Sequence, residues 1–229
     1  MVSLSAISFA IATTLSGYLA SACLTPPNPS PKSSQVWGKD SIGFVGHPAV
    51  VLAGRLLAFG FCFHHAIVAI LMGDRTTSQH GYLNPDLFRW TWLSPLCFAS
   101  IFAGAALRLS AFGALGSRFT FSLAKPNELN TKGIYAYIQH PSYTGIVLIF
   151  VPLQLLIVRW DGWPAFWIPQ SVSDRLHGWG LITCVVLVSM SSISLSARVF
   201  DEEAMLKEVF GDKWVAWNKR TKRFIPGLI

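Results

Sequence analysis

Charge is what this sequence has least of. Lys, Arg, Asp and Glu together make up 13% of its 229 residues, about half of what a soluble domain usually carries. Hydrophobic residues make up 52%, and the mean hydropathy is +0.46. A chain this poor in charge cannot cover itself for water, which points to an integral membrane protein. Cysteine is sparse as well: Cys23, Cys62, Cys97 and Cys184 fall one to an apolar segment with no CxxC pair. Neither a disulfide framework nor a metal site is indicated, and the four read as small buried hydrophobes. No basic stretch precedes the first apolar run, only Met-Val-Ser, so that run reads as a retained helix rather than a signal peptide. The formal net charge of +7 is not interleaved with aromatics on a polar surface, which argues against a nucleic-acid partner.

What is there is a set of long apolar runs. A spanning helix needs roughly 20 mostly apolar residues, and five segments approach that: about Leu4 to Leu24, Ala49 to Met72, Trp92 to Leu115, Tyr143 to Val158 and Trp179 to Val199. The fourth is short and contains Pro152, which predicts a kink or break that helical neighbours can tolerate. The expected fold is an all-α integral membrane protein in the lipid bilayer. It has five transmembrane helices, a loop carrying polar chemistry and an amphipathic C-terminal helix. Between the first two spans, Pro26-Pro27-Asn28-Pro29-Ser30-Pro31 forms an extended, polar loop.

Basic residues sort the loops. Lys32 and Lys39 lie in the 25–48 loop, Arg118, Lys125 and Lys132 in the 116–142 loop, and a run from Arg198 to Arg223 in the tail. The opposite loops hold Arg75, Arg89, Arg159 and Arg175, offset by Asp74, Asp86, Asp161 and Asp174. The positive-inside rule puts the 116–142 loop and the tail together on the cytosolic side. Trp90, Trp92, Trp160, Trp163, Trp167 and Trp179 mark the other interface.

Two stretches on the basic side carry chemistry. In GIYAYIQHPSYTG (133–145), proline forces His140 out of helical geometry, and Pro141 suits the first turn of a helix. Ser142 and Tyr143 then fall in that first turn, beside free N–H groups. In the tail, Arg198 and Glu202 stand four apart, the spacing of an i, i+4 ion pair. Leu206, Phe210, Trp214 and Trp217 form one apolar stripe. That stripe is expected to lie on the membrane surface with Lys213, Lys219 and Arg220 toward headgroups. A row of acids, Asp201-Glu202-Glu203, is either a solvated charge run or a partner for a cation or for hydrogen-bond donors.

Together these stretches resemble the isoprenylcysteine carboxyl methyltransferase family. The matching residues are Gly133, Tyr135, His140, Pro141, Tyr143 and Gly145, then Arg198, Glu202, Glu203, Leu206, Phe210, Gly211, Trp214, Ile225 and Pro226. Upstream, ALRLSAFGALGSRFTFSL (106–123) resembles the family's span before its cofactor loop. The resemblance covers roughly 92–229, which divides the chain into N-terminal transmembrane helices and loops (1–91) and a methyltransferase core (92–229). It implies S-adenosylmethionine (SAM) as methyl donor, bound by Tyr135, His140, Pro141, Ser142, Tyr143 and Glu202. Asn127, Glu128, Leu129 and Asn130 would add further cofactor contacts. Arg198 would face the acceptor, a prenylated C-terminal cysteine of a protein, and Arg198 and Glu202 would be the catalytic pair. The implied location is the endoplasmic reticulum membrane. The chain departs from the family at Asn127, where a His is usual, and at Gln139, where an Arg is usual. A membrane methyltransferase acting on a phospholipid or other small lipid stays open as an alternative. So do a sterol-reductase-like enzyme and a non-enzymatic adaptor.

Overall fold

The computed structural model describes residues 2–31, 36–72 and 83–227. Lys32, Asp74 and Arg75, which entered the loop-charge reading, lie outside them. Among the described residues the chain forms α1 (Leu4–Cys23), α2 (Pro48–Met72), α3 (Leu93–Leu115), α4 (Pro141–Leu153), α5 (Gln170–Arg175), α6 (Trp179–Phe210) and α7 (Asp212–Arg220). Extended pairing among the described residues is limited to isolated bridges of Val36 with Ala124 and Ile138 with Lys222. Among the described residues five helices are long and apolar enough to cross a membrane: α1, α2, α3, α4 with its continuation, and α6. The protein is thus an all-α, multi-pass membrane protein.

Small residues set how closely the spans approach. Ser3 caps α1 by accepting the Ala6 N–H at 3.2 Å, and Ala6, Ala10, Thr13, Gly17 and Ala20 are buried along one stripe. A Cβ at Gly17 would come within 2.6 Å of Cys62 Cβ on α2, so this crossing requires a glycine. The α3–α4 crossing is tighter. A Cβ on Gly104 would stand 2.8 Å from the Gly145 carbonyl oxygen, and one on Gly145 would stand 2.8 Å from both the Gly104 oxygen and Arg108 Cβ. Without a hydrophobic force between helices in lipid, such contacts drive association. This one draws Arg108 against the first turn of α4.

Helix α4 starts at Pro141, with His140 at its N-cap, as the His-Pro step predicts, two residues ahead of the apolar run that begins near Tyr143. Pro152 lies inside the helix and a π-helical turn, Gln154–Val158, follows. The ring displaces a carbonyl and removes an N–H, and the wider turn absorbs the change. Helix α6 runs well beyond its apolar stretch and carries Glu202 and Glu203 out of the span. Its lower half is largely exposed at Leu181, Ile182, Val185, Met190 and Ile193, as a lipid-facing helix would be.

The loops after α1 and α3 and the tail meet at one end. Trp37 N–H donates to the Leu123 carbonyl at 2.7 Å, and Gln139 N–H to that of Lys222 at 2.7 Å. The tryptophan-rich loops meet at the other: Asn84 N–H reaches the Asp161 carbonyl at 2.8 Å, and Trp90 Nε1 reaches Ser8 Oγ at 2.9 Å.

One expectation about the tail is corrected. Gly211, at φ 51°, ends α6 and turns the chain into α7. Trp214 and Trp217 are buried with Tyr135, and Leu206 and Phe210 pack on the same cluster. The apolar stripe therefore faces protein, not the membrane surface. A glycine in the left-handed region breaks the helix, so the two halves of the stripe fold around the 133–140 segment.

Candidate active site

A cavity of about 220 Å³ opens at the basic end. The 118–130 loop, the Tyr135–Tyr143 segment, α6 from Leu195 to Leu206, and Ile42 and Val45 of the first loop line it. The residues come from stretches more than 150 positions apart, and a chain of polar contacts joins them.

The hub is Tyr143. Its hydroxyl donates to Glu202 Oε2 at 2.5 Å and accepts from Arg198 Nε at 3.3 Å. The Arg198 guanidinium also donates to the Phe121 carbonyl and forms a buried ion pair with Asp40. Asp40 in turn accepts the Leu123 N–H at 3.1 Å. Arg198 and Glu202 share a helix face, yet among the described residues they form no ion pair with each other; the cation is taken by Asp40. His140 is buried, with Nε2 at 3.3 Å from Glu203 Oε1. Among the described residues its Nδ1 has no hydrogen-bond partner; Glu202 Oε1 stands at 3.9 Å, too far for one. Glu203 accepts a two-point contact from Arg223, at 2.7 and 2.8 Å. That hydrogen bond raises the Arg223 pKa above its ordinary value.

Tyr135 is buried, and Trp217 Nε1 donates to its carbonyl at 2.8 Å. Burial first, and then the Glu202 charge, push its phenol pKa up, so it stays a neutral donor. Gln139 Nε2 donates to Asn218 Oδ1 at 2.8 Å and Thr221 Oγ1 at 3.1 Å. The position where the family has Arg thus clasps the tail.

Of the residues singled out from sequence, Glu128, Leu129, Asn130, Tyr135, His140, Pro141, Ser142, Tyr143, Arg198 and Glu202 all line the cavity. Asn127 does not, and it is exposed. Glu128 pairs with Arg118 at 3.1 Å. Sequence reasoning missed Asp40 and Arg108. Asp40 gave no local signal, since its partner is 158 positions away. Arg108 had one: an ionisable residue inside an apolar span is a functional candidate by default.

The Isoprenylcysteine carboxyl methyltransferase (ICMT) family model matches residues 96–163. Protein-S-isoprenylcysteine O-methyltransferase of Schizosaccharomyces pombe is 32% identical over 127 residues, 54% of this chain and 45% of that protein. Its Xenopus laevis namesake is 25% identical over 147 residues, 62% of this chain and 43% of that protein. Protein-S-isoprenylcysteine O-methyltransferase B of Arabidopsis thaliana is 23% identical over 190 residues, 81% of this chain and 83% of that protein. The match thus spans less than half the length of the first two relatives. No solved structure matches the chain. The segment 96–163 contains Arg108, the 118–130 loop and the Tyr135–Tyr143 wall of the cavity, so over the part of the chain that walls the cavity the sequence is similar to the isoprenylcysteine carboxyl methyltransferase family.

Proposed function

We propose that this chain is a SAM-dependent methyltransferase that esterifies the C-terminal carboxylate of prenylated cysteine in proteins. It would act at the cytosolic face of the endoplasmic reticulum membrane. The observation that carries the reading is the Tyr143–Glu202 bond. It joins the His-Pro-Ser-Tyr turn to the acidic tail around one cavity at the mouth of the spans.

The residues fit SAM on chemical grounds. Glu202 has no basic side chain within ion-pair distance among the described residues other than His140 at 3.9 Å, so its carboxylate is available to a cationic or hydroxyl-bearing ligand. His140 Nδ1 is buried without a partner among the described residues, and Leu129, Met205, Leu206 and Trp217 offer apolar surface for a base. Glu128, Leu129, Asn130, Tyr135, His140, Pro141, Ser142, Tyr143 and Glu202 are the proposed cofactor residues, with Asn127 outside the rim. When bound, SAM supplies a sulfonium methyl that passes to a carboxylate oxygen as the C–S bond breaks and the C–O bond forms, leaving a neutral thioether and a neutral ester.

No proton moves, so the chain need supply no general base. Its work is to orient, desolvate and exclude water. A cation and an anion that become two neutral products react best where water does not stabilise the charges, which is a physical reason to place this site at the end of membrane spans. Ile146 and Leu195, on α4 and α6, line the cavity and give a prenyl chain an apolar route from the bilayer. Arg198, its charge met by Asp40, holds Tyr143 and the 121 carbonyl in place beside the acceptor. The excess of basic residues at this end supports a cytosolic position for it.

The test is transfer of radiolabelled methyl from SAM to an S-farnesylcysteine analogue in membranes containing the protein. Base-labile methyl ester is expected. Label appearing instead in phospholipid would move the reading to the lipid methyltransferases.

A further inference from the structure

One cation in the cavity is unaccounted for. Arg118 is paired with Glu128 and Arg198 with Asp40, but Arg108, 4% exposed, has no carboxylate within 4.0 Å among the described residues. Its guanidinium donates through Nε to the Cys23 carbonyl at 2.8 Å. Through Nη1 it donates to Ser142 Oγ at 2.6 Å and the Ser142 carbonyl at 3.3 Å. Among the described residues Nη2 takes part in no hydrogen bond. The faces of Phe112 and Phe121 lie 4.9 and 5.5 Å from its central carbon. Those rings and neutral oxygens hold the group in place without cancelling its charge.

An unpaired buried cation is costly, more so within a span. The Gly104–Gly145 crossing nevertheless holds Arg108 against the cavity wall. In the same cavity Glu202 has no Lys or Arg within ion-pair distance among the described residues. The two are opposite charges on one cavity wall, one suited to a positive group and the other to a carboxylate.

We propose that Arg108 is the carboxylate-binding residue of this cavity. The inference rests on the methyltransferase reading for the identity of its ligands, both of which carry a carboxylate: the prenylcysteine acceptor and the methionine portion of the cofactor. An acceptor carboxylate entering from the bilayer loses its water. Beside a fixed guanidinium it stays ionised, and so stays a nucleophile. Ser142, at the first turn of α4, fixes the orientation of the guanidinium.

Binding of two probe pairs to the detergent-purified chain tests this. One pair is N-acetyl-S-farnesylcysteine and its uncharged carboxamide; the other is S-adenosylhomocysteine and its decarboxylated analogue. For one pair, the wild type should prefer the acid by about tenfold or more, as expected for a charged hydrogen bond. Arg108→Gln should abolish that preference and leave the other pair's unchanged, which tells the two sources apart. Arg108→Lys, which keeps the charge without the fork, should retain part of it. In turnover it should raise the KM of the same substrate alone. No preference for the acid in either pair in the wild type would overturn the proposal, whatever the variants do. So would a preference that survives in Arg108→Gln or, if that variant does not fold, one undiminished in Arg108→Lys. A wild type that prefers the acid through Arg108 but transfers no methyl would refute the methyltransferase reading and leave this inference standing.

Discussion

The two ends of the molecule use ion pairs in different ways. At the tryptophan-rich end the pairs are local: Arg89 with Asp86 and Arg159 with Asp161 join residues two or three positions apart and brace single loops. At the basic end Arg118 and Glu128 pair within one loop, but the other pairs reach across the chain. Arg198 meets Asp40, Arg223 meets Glu203, and Lys125 meets Glu208 at 3.5 Å. The histidines differ likewise. His65 at the first end is stacked on Phe88 and bonded to the Leu87 carbonyl at 2.8 Å, among aromatic rings. His140 at the second sits between two acids on a cavity wall. Local pairs finish loops, whereas long-range pairs assemble a site from distant segments. Polar side chains at the basic end should therefore be expensive to remove, and those at the other end cheap.

The largest effect is expected at Asp40. Replacing it with Ala leaves the Arg198 charge buried and unpaired, which costs about 3–5 kcal/mol. Thermal unfolding in detergent should show a clear loss of stability, and Arg198→Met on top of it should recover part. Gly145→Ala comes next. The added methyl meets the Gly104 oxygen and Arg108 Cβ at 2.8 Å, an overpacking worth about 1–3 kcal/mol. It should also lower methyl transfer by moving Arg108. Glu202→Gln should leave stability nearly intact and reduce kcat/KM by about tenfold to a hundredfold, mostly through the KM for SAM. The smallest effect belongs to the other end: Asp86→Ala breaks an exposed pair worth about 1 kcal/mol or less and should leave methyl transfer unchanged. If Asp86→Ala proved as costly as Asp40→Ala, the contrast between the ends would fail.

Much of this could be read from the sequence, for identifiable reasons. Hydropathy located all five spans because a membrane crossing demands a long apolar run. The start of α4 followed from His140-Pro141, since proline constrains the residue before it and suits the first turn. The tail stripe was recognised by its spacing, but its partner was not. Periodicity shows that Trp214 and Trp217 share a face and says nothing of what covers it, and Gly211 breaks the helix that the spacing assumes. The i, i+4 spacing of Arg198 and Glu202 invited a local pair that tertiary contacts overrode, with Asp40 taking the cation and Tyr143 the acid. Asp40 itself was out of reach, because no short-range rule links the 25–48 loop to the end of α6.

The central claim is that the cavity walled by Tyr143 and Glu202 transfers methyl groups to a prenylcysteine carboxylate. The most direct measurement uses the purified chain in lipid nanodiscs, with radiolabelled SAM and N-acetyl-S-farnesylcysteine, comparing wild type, Glu202→Gln and Asp86→Ala. The account predicts base-labile methyl ester from the wild type and Asp86→Ala at the same rate. Glu202→Gln should be slower by about tenfold or more at limiting SAM. Equal rates in all three, or no ester from a folded wild type, would contradict it.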